Sequence, residues 1–167
     1  VTTKDVDFNF EEQIEIENLS FKYKNENKNY DLFNLNFKIK KGEILGITGP
    51  SGSGKSTLVD LILGFYNPNQ GSIKVDGKNI NLNLSSWQNI IGYVPQSIFL
   101  IDDTIKENII LSDNSNTIDD QRLKNATQKS ELNPFIDNLD KKLETMVGER
   151  GSRISGGQLQ RIGIARA

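Results

Sequence analysis

The sequence contains no cysteine and no histidine. Without cysteine the chain forms neither a disulfide bond nor a thiolate metal site, which is compatible with a reducing compartment. Without histidine it lacks the commonest general base and the commonest metal ligand of proteins. No apolar run approaches the roughly 18 residues that a membrane-spanning helix needs. The polar, acidic start of the chain also differs from a signal peptide.

The chain has no excess of positive charge. Its 20 Lys and Arg are balanced by 22 Asp and Glu, which gives a formal net charge of −2. Because binding to a nucleic-acid polyanion depends on clustered basic residues, this balance argues against a nucleic-acid partner. The length of 167 residues is enough for one domain with a hydrophobic core.

One glycine-rich stretch, residues 49–57, matches the pattern G-x-x-x-x-G-K-[ST] at every fixed position. We call it the phosphate loop. It follows the apolar run 44–48, which predicts a buried strand, and it leads into a predicted helix that ends at Gly64. A strand, a glycine-rich turn and a helix are the context in which this pattern binds phosphates. The predicted ligand-binding residues are Gly49, Pro50, Ser51, Gly52, Ser53, Gly54, Lys55, Ser56 and Thr57.

The residue types of the phosphate loop explain its predicted chemistry. Glycine has no Cβ, so the backbone can adopt positive φ and approach a ligand closely. The amides of the turn then form an anion nest, and the helix N-terminus adds free N–H groups and the positive end of its dipole. Lys55 supplies a full charge to the β- and γ-phosphates, and the Ser56 hydroxyl is placed to coordinate Mg²⁺.

Periodicity predicts mostly strands before residue 96 and mostly helices after it. Alternation predicts two half-buried strands, with Phe33, Leu35, Phe37 and Ile39 on one face of the second. The dipeptide Asp76-Gly77 predicts a hairpin, and 90–94 predicts an apolar strand. A helix is predicted from Thr104, as N-cap, with Glu107 in the capping-box position. Two further helices are predicted at 118–132 and from Pro134 to Leu139.

A second glycine-rich segment, Ile154–Gln158, precedes a predicted helix that runs to Ala167. We call it the second glycine motif. Ser155 can cap this helix, and Gly156 and Gly157 let backbone amides approach an anion. A Ser-Gly-Gly helix start is by itself more often structural. The interpretation as an anion-binding motif is favoured here because the same chain contains the phosphate loop.

Three ordered features together resemble the nucleotide-binding domain of the ABC transporter family. They are the phosphate loop, Pro95-Gln96, and the second glycine motif with the segment 159–167 that follows it. The resemblance covers Ile14 to Ala167. It implies an α/β fold: a P-loop NTPase core with a parallel sheet, an antiparallel β subdomain and a helical subdomain, incomplete at the C-terminus. The implied divisions are a linker from an upstream membrane domain (1–12), the β subdomain and P-loop core (13–96), the helical subdomain (97–157) and the start of a helix returning to the core (158–167).

The resemblance assigns roles to matching residues, with ATP and Mg²⁺ as ligand and cofactor. Tyr23 matches an aromatic residue that stacks on adenine; a strand-end aromatic that packs on the core is the alternative. Gln96 matches a glutamine that contacts Mg²⁺ and the attacking water, so Ser56 and Gln96 are the implied metal ligands. In a head-to-tail dimer, expected to be a homodimer, one domain binds its partner's ATP through Ser155, Gly156, Gly157 and Gln158.

Two segments are similar to exporter-type members of the family. These are Thr145–Gly151, which includes Glu149, and Leu100–Asn108, although Ile101 stands where an aromatic residue is common. Ile154 likewise replaces the commoner leucine. The resemblance implies that Gln96–Ile101 and the region of Glu149 contact the coupling helices of a membrane domain. The chain, itself soluble, would then act at the cytoplasmic face of a membrane and couple ATP hydrolysis to export or flipping of a substrate.

Two other functions stay open at this stage. A soluble ABC-type ATPase of DNA repair or chromosome maintenance would carry a long coiled coil between Gln96 and Ser155, and the short interval here argues against it. A nucleotide-binding module without hydrolysis is the second alternative. The sequence ends before the family's Asp-Glu strand and switch histidine, so we expect it to bind nucleotide weakly, to lack turnover and to be poorly stable alone.

Overall fold

The computed structural model describes residues 7–23, 31–111 and 119–167. The chain divides into two compact units, Val1–Ile91 and Gly92–Ala167. Residues 1–6 of the predicted linker lie outside the described residues. Phe8, farther along that segment, is buried against Trp87 with ring centroids 6.2 Å apart, and its N–H donates to Ser86 Oγ at 2.9 Å. No helix in the described parts of the chain is long and apolar enough to span a membrane.

The first unit contains a four-stranded antiparallel sheet of order β2-β1-β3-β4. The strands are β1 (Gln13–Phe21), β2 (Leu32–Lys40), β3 (Gln70–Val75) and β4 (Lys78–Asn79). Alternating apolar residues give the sheet one buried face, which packs on the helix that follows the phosphate loop. Leu19, Ile73 and Leu61 are almost fully buried in this core.

The predicted apolar face of β2 is wrong at Phe33. Leu35, Phe37 and Ile39 are half-buried as expected, but Phe33 is 69% exposed and Leu32 is buried in its place. Asn34 has φ 49°, and the register of β1 and β2 shifts between the Leu19–Leu35 and Phe21–Leu32 pairs. This irregularity changes which residues face the core, because adjacent strand residues point to opposite sides.

The hairpin predicted at Asp76-Gly77 is confirmed. Both residues have positive φ, 48° and 78°, as a two-residue hairpin turn of type I′ requires. The Asp76 carboxylate also accepts hydrogen bonds from the N–H groups of Glu11, Glu12 and Gln13, at 2.7, 2.9 and 2.8 Å. Burial raises the pKa of Asp76, but these three donors outweigh it and hold the pKa below its ordinary value.

The predicted helix after the phosphate loop is confirmed as α1 (Lys55–Ile62). It ends in a Schellman motif: Gly64 has φ 76°, Gly64 N–H donates to Leu61 O at 3.0 Å and Phe65 N–H donates to Asp60 O at 2.9 Å. A Cβ at Gly64 would overlap the Leu84 side chain, so the turn needs glycine for space as well. The 3₁₀ turn Ile80–Leu82 and α2 (Leu84–Asn89) complete the unit.

Two strands predicted from apolar runs are not formed. Segments 44–48 and 90–94 belong to no strand, and Ile44 is 97% exposed. The four strands of the described sheet do not extend to either segment. An apolar run supplies the side chains of a buried strand, but strand formation also requires hydrogen-bonding neighbours along its edges. The described residues therefore contain the antiparallel sheet but not the predicted parallel one.

The second unit is helical, as the sequence predicts. It contains α3 (Ile105–Ile110), α4 (Asp120–Lys129), α5 (Asn133–Ile136) and α6 (Gly156–Arg166), with 3₁₀ turns at Lys142–Glu144 and Glu149–Gly151. Thr104 caps α3 by accepting from Glu107 N–H at 3.1 Å, as expected. Asp119 caps α4 in the same way. Residues 112–118 lie outside the described part, so the predicted start of α4 at Ile118 is not described.

Candidate functional site

The phosphate loop depends on glycine at positions where other residues would be strained. Gly52 and Gly54 have φ of 77° and 88°, in the left-handed region that side chains disfavour. A Cβ at Gly54 would also lie 2.6 Å from Leu32 Cδ2 and 3.2 Å from the Asp31 carbonyl oxygen. Gly54 therefore lets the loop turn into α1 while it stays packed against the start of β2.

The N-terminus of α1 differs from those of α3, α4 and α6. Its N-cap is Gly54, which provides no side-chain cap, and its first turn contains no acidic residue. By contrast, Thr104, Asp119 and Ser155 cap α3, α4 and α6 with side-chain oxygens. The first-turn N–H groups of α1 lack such an acceptor, which leaves donors and the positive end of the dipole for an anion.

Lys55 is folded over the phosphate loop. Its Nζ donates to the carbonyl oxygens of Gly49 at 2.9 Å and Pro50 at 2.7 Å, and it lies 3.4 Å from Ser53 Oγ. Among the described residues, no carboxylate forms an ion pair with it. The side chain of Ser56 is exposed next to it. The charge of Lys55 is thus held over the loop by neutral groups and is available to a polyanionic ligand.

Tyr23 lies at the C-terminal end of β1 and contacts α1. Its hydroxyl is 3.2 Å from Oγ1 of the buried Thr57, in the first turn of the helix. Its ring packs nearly perpendicular to Phe21 and Tyr66. The structure thus brings Tyr23 and the phosphate loop together within the first unit. It also shows Tyr23 in contact with the core, which is the alternative that the sequence left open.

Gln96 lies in the second unit and is exposed. The segment that follows it is held by two residues that the sequence analysis did not assign to a site. Buried Asn108 accepts from Ile101 N–H at 2.9 Å and donates to Ile101 O at 3.0 Å. Arg166 Nη1 donates to Phe99 O at 3.1 Å, and its Nε donates to Asn108 O at 2.9 Å. The backbone of 99–101 is therefore fixed to α3 and α6, while the side chains of Phe99 and Ile101 are exposed.

The second glycine motif forms the start of α6, and its predicted cap is confirmed. Ser155 Oγ accepts from Gln158 N–H at 3.4 Å, and Gln158 Oε1 accepts from Ser155 N–H at 2.9 Å. The two hydrogen bonds form a capping box, in which Gln158 has a part that the sequence analysis did not predict. A Cβ added at Gly156 or Gly157 would have no neighbouring atom within 4 Å, and neither residue has positive φ. Nothing in the described chain therefore requires glycine at these two positions.

Two other features of the described residues bear on ligands. They contain no group of three or more acidic side chains that could hold a metal ion by itself. A cavity of about 590 Å³ lies in the second unit, next to Ile109, Arg122 and Ile164. It contains none of the predicted ligand-binding residues, so the candidate site is the phosphate loop and not this cavity.

The site combines a glycine-rich turn with an uncapped helix start, and a lysine lies over the two. These features define the class of P-loop nucleotide-binding proteins. The family profile described as "ABC transporter" matches residues 32–167. The chain therefore belongs to the ABC transporter family. The resemblance found in the sequence is confirmed, and so is the fold class, of which the described residues form the antiparallel sheet and the helices.

Relatives and a solved structure agree with this family. ABC transporter B family member 1 of Dictyostelium discoideum is 43% identical over 156 residues, which are 93% of this chain and 17% of that protein. A Staphylococcus aureus protein named for multidrug export, an ATP-binding/permease protein, is 44% identical over 155 residues, covering 92% of this chain and 26% of that protein. The structure of a bacterial Atm1-family ABC exporter with ATP bound matches with a TM-score of 0.84 and 33% identity, over 96% of this chain and 28% of that chain. The chain thus spans only 17% and 26% of the two relatives.

Proposed function

We propose that the chain binds Mg-ATP at the phosphate loop and that, as part of a larger exporter-type transporter, it couples ATP hydrolysis to movement of a substrate across a membrane. The observation that carries this proposal is the uncapped N-terminus of α1 beneath Lys55. A triphosphate would supply the acceptors that the first turn lacks. It would also replace the Gly49 and Pro50 carbonyl oxygens as partners of the Lys55 ammonium.

Tyr23 is the proposed contact for the adenine base. Its ring lies at the end of β1, and its hydroxyl is joined to Thr57 in the helix that carries the phosphate loop. An aromatic ring at a fixed position beside a triphosphate site suits a purine, because stacking needs a flat apolar face. The core contacts of Tyr23 are compatible with this role, since they hold the ring in place without a parallel neighbour.

Ser56 and Gln96 are the proposed protein ligands of Mg²⁺. Since the described chain has no acidic cluster for a metal, the ion would be held chiefly by phosphate oxygens, with neutral oxygens from the protein. Both side chains are exposed. The ion would neutralise phosphate charge, while Lys55 and the loop amides position the triphosphate for transfer to water.

The second glycine motif is proposed to bind the ATP of a second copy of the domain. Glycine is a poorer helix former than alanine, by up to about 1 kcal/mol per residue in a helix interior. Within the described chain, nothing compensates for this loss of helix stability at Gly156 and Gly157, because a Cβ at either position would have open space around it. Close approach by an outside ligand explains the two glycines. A head-to-tail homodimer brings such a ligand, since each copy contributes one phosphate loop and one second glycine motif.

Contact with a membrane domain is proposed for Gln96–Ile101 and the region of Glu149. The fixed backbone of 99–101 presents the exposed apolar side chains of Phe99 and Ile101. Exposed apolar side chains on a rigid backbone suit a docking surface. The names of the relatives, which include multidrug export and a permease, support export across a membrane. A position at the cytoplasmic face of that membrane is part of the proposal.

A crosslinking experiment tests the proposed dimer, and the absence of native cysteine makes it direct. Chains with Ser51→Cys are mixed with chains with Ser155→Cys under mild oxidation. We expect a disulfide-linked dimer that forms with Mg-ATP and does not form without nucleotide. Each variant alone, and the mixture with Lys55→Ala added to both chains, are the controls.

The controls decide between specific and unspecific association. Equal crosslinking without ATP, or with Lys55→Ala, would contradict an ATP-dependent dimer. Calorimetric titration with Mg-ATP is run on the same samples. If ATP binds and no crosslink forms, the proposed role of the second glycine motif is wrong while that of the phosphate loop stands.

A further inference from the structure

Tyr23 is contacted by Thr57 in helix α1 and by Tyr66, which follows the C-terminal end of that helix. Thr57, in the first turn, lies within hydrogen-bonding distance of the Tyr23 hydroxyl. Tyr66 follows the last turn, and its ring centroid lies 5.4 Å from that of Tyr23 at an interplanar angle of 88°. The Schellman motif at Gly64 ends the helix and turns the chain toward β1. The position of Tyr66 is thus determined by the way in which α1 ends.

A third contact completes the support of the Tyr23 ring. Phe21, buried in the core, lies 4.9 Å from Tyr23 at 85° and 5.6 Å from Tyr66 at 45°. Both neighbours meet Tyr23 in the edge-to-face geometry that aromatic pairs prefer. Since neither ring is parallel to Tyr23, neither occupies a parallel stacking position on it. Tyr66 is 44% exposed, so its side chain is not needed to fill the core as that of Phe21 is.

We propose that Tyr66 is a positioning residue for the nucleotide base, acting through Tyr23. With Thr57 it fixes the Tyr23 ring relative to the phosphate loop, so that base and triphosphate are bound at the same time. A ring that is ordered in advance loses less freedom when the base stacks on it, and this raises affinity without any direct contact to the ligand. The inference rests on the proposed function, in which Tyr23 stacks on the base.

The test compares two ligands that share the triphosphate but differ in the base. Dissociation constants of ATP and of inorganic tripolyphosphate, both with Mg²⁺, are measured by calorimetry on the full chain and its variants. Tyr66→Ala is expected to weaken ATP binding by about three- to tenfold and to leave tripolyphosphate binding unchanged. Tyr66→Phe retains the ring and is expected to bind both ligands as the unmodified chain does. Phe65→Ala removes the adjacent exposed aromatic ring and is the matched control, with both affinities unchanged.

The outcomes separate this inference from the proposed function. Unchanged ATP affinity in Tyr66→Ala, or an equal loss for both ligands, overturns the role of Tyr66. Tyr23→Ala serves as the reference: if it weakens ATP binding and Tyr66→Ala does not, only the inference fails. If Tyr23→Ala has no effect on ATP, base stacking on Tyr23 is wrong and the inference fails with it. If the unmodified chain binds neither ligand, the proposed phosphate site itself is wrong.

Discussion

The hydroxyl of Tyr23 and Oγ1 of Thr57 lie 3.2 Å apart, which joins the end of β1 to the first turn of α1. One residue is the proposed partner of the base, and the other belongs to the phosphate loop. Their contact therefore fixes the distance between the two halves of the proposed nucleotide site. A hydrogen bond between the two elements also makes their positions interdependent in the absence of ligand.

A double-mutant cycle measures this contact. Tyr23→Phe and Thr57→Val each remove one partner, and each is expected to lower the free energy of unfolding by about 0.5–1.5 kcal/mol. Because both changes remove the same hydrogen bond, the double variant is expected to lose clearly less than the sum of the two. Urea denaturation provides the free energies. Strictly additive losses would show that the contact contributes nothing to stability.

The glycines of the second motif are expected to affect stability and function in opposite directions. Gly156→Ala and Gly157→Ala replace helical glycines in open space, so each is expected to leave the free energy of unfolding unchanged or to raise it by up to about 1 kcal/mol. Both are expected to abolish the ATP-dependent crosslink between Ser51→Cys and Ser155→Cys chains. Thermal melts and crosslinking are measured side by side.

Gly163 provides the matched control in the same helix. A Cβ at this buried position would overlap the Ile98 side chain, so Gly163→Ala is expected to lower the free energy of unfolding by about 1–3 kcal/mol. A loss of stability of similar size at Gly156 or Gly157 would show that these two glycines have a structural role in the chain.

The Asp76 carboxylate is expected to make stability depend on pH. Its pKa in the folded chain lies below its ordinary value, since three backbone N–H groups favour the charged form despite burial. This contribution is therefore present above the unfolded pKa of about 4 and is lost as the pH falls through the folded value. The melting temperature is measured from about pH 6 to about pH 2.5 for the chain and for Asp76→Asn, which tolerates the same positive φ.

The comparison isolates Asp76 from other carboxylates. The pKa of Glu17 is lowered chiefly by its hydrogen bond to Lys74. Because Glu17 is present in both proteins, its contribution to the pH dependence cancels in the difference between their melting temperatures. The difference in melting temperature between the two proteins is expected to shrink as the pH falls. A difference that stays constant over the whole range would mean that the Asp76 charge has no part in stability.

Asn108 and Arg166 are expected to contribute more to the free energy of unfolding than Arg161 does. Asn108→Ala removes a buried side chain and leaves the part-buried N–H and C=O of Ile101 without their side-chain partners, with an expected loss of about 2–4 kcal/mol. Arg166→Met removes the donors to Phe99 and Asn108 and is expected to destabilise by about 1–3 kcal/mol. Arg161→Met is the control, because this exposed arginine of the same helix also donates to a carbonyl oxygen, that of Glu131. Equal losses in the free energy of unfolding for Arg161→Met and Arg166→Met, measured by denaturation, would contradict this expectation.

Local signals in the sequence predict the local structure well. The cap at Thr104, the hairpin at Asp76-Gly77 and the helix start at Ser155 depend on residues within a few positions, so the sequence contains the whole cause. The helix that follows the phosphate loop is predictable for the same reason. The resemblance to the family was inferred from the spacing of such local motifs, and the family profile confirms it.

Features that depend on distant residues were predicted less well. Exposure of Phe33 follows from a register shift against β1, which alternation within β2 cannot reveal. The run 44–48 has the composition of a buried strand, but the described sheet does not extend to it. The Arg166–Asn108 hydrogen bond joins residues 58 positions apart, and neither residue type indicates the other. In each case the cause lies in tertiary pairing and not in local composition.

The most direct test of the central claim is a calorimetric titration of the chain with Mg-ATP, repeated with Lys55→Ala. We expect saturable binding to one site per chain and a loss of affinity of at least about tenfold in the variant, because a charged hydrogen-bonding partner of the triphosphate is removed. Circular dichroism is used to check that both proteins have the same helix content. Absence of binding by the unmodified chain, or equal affinity in Lys55→Ala, would contradict the claim that the phosphate loop is a nucleotide site.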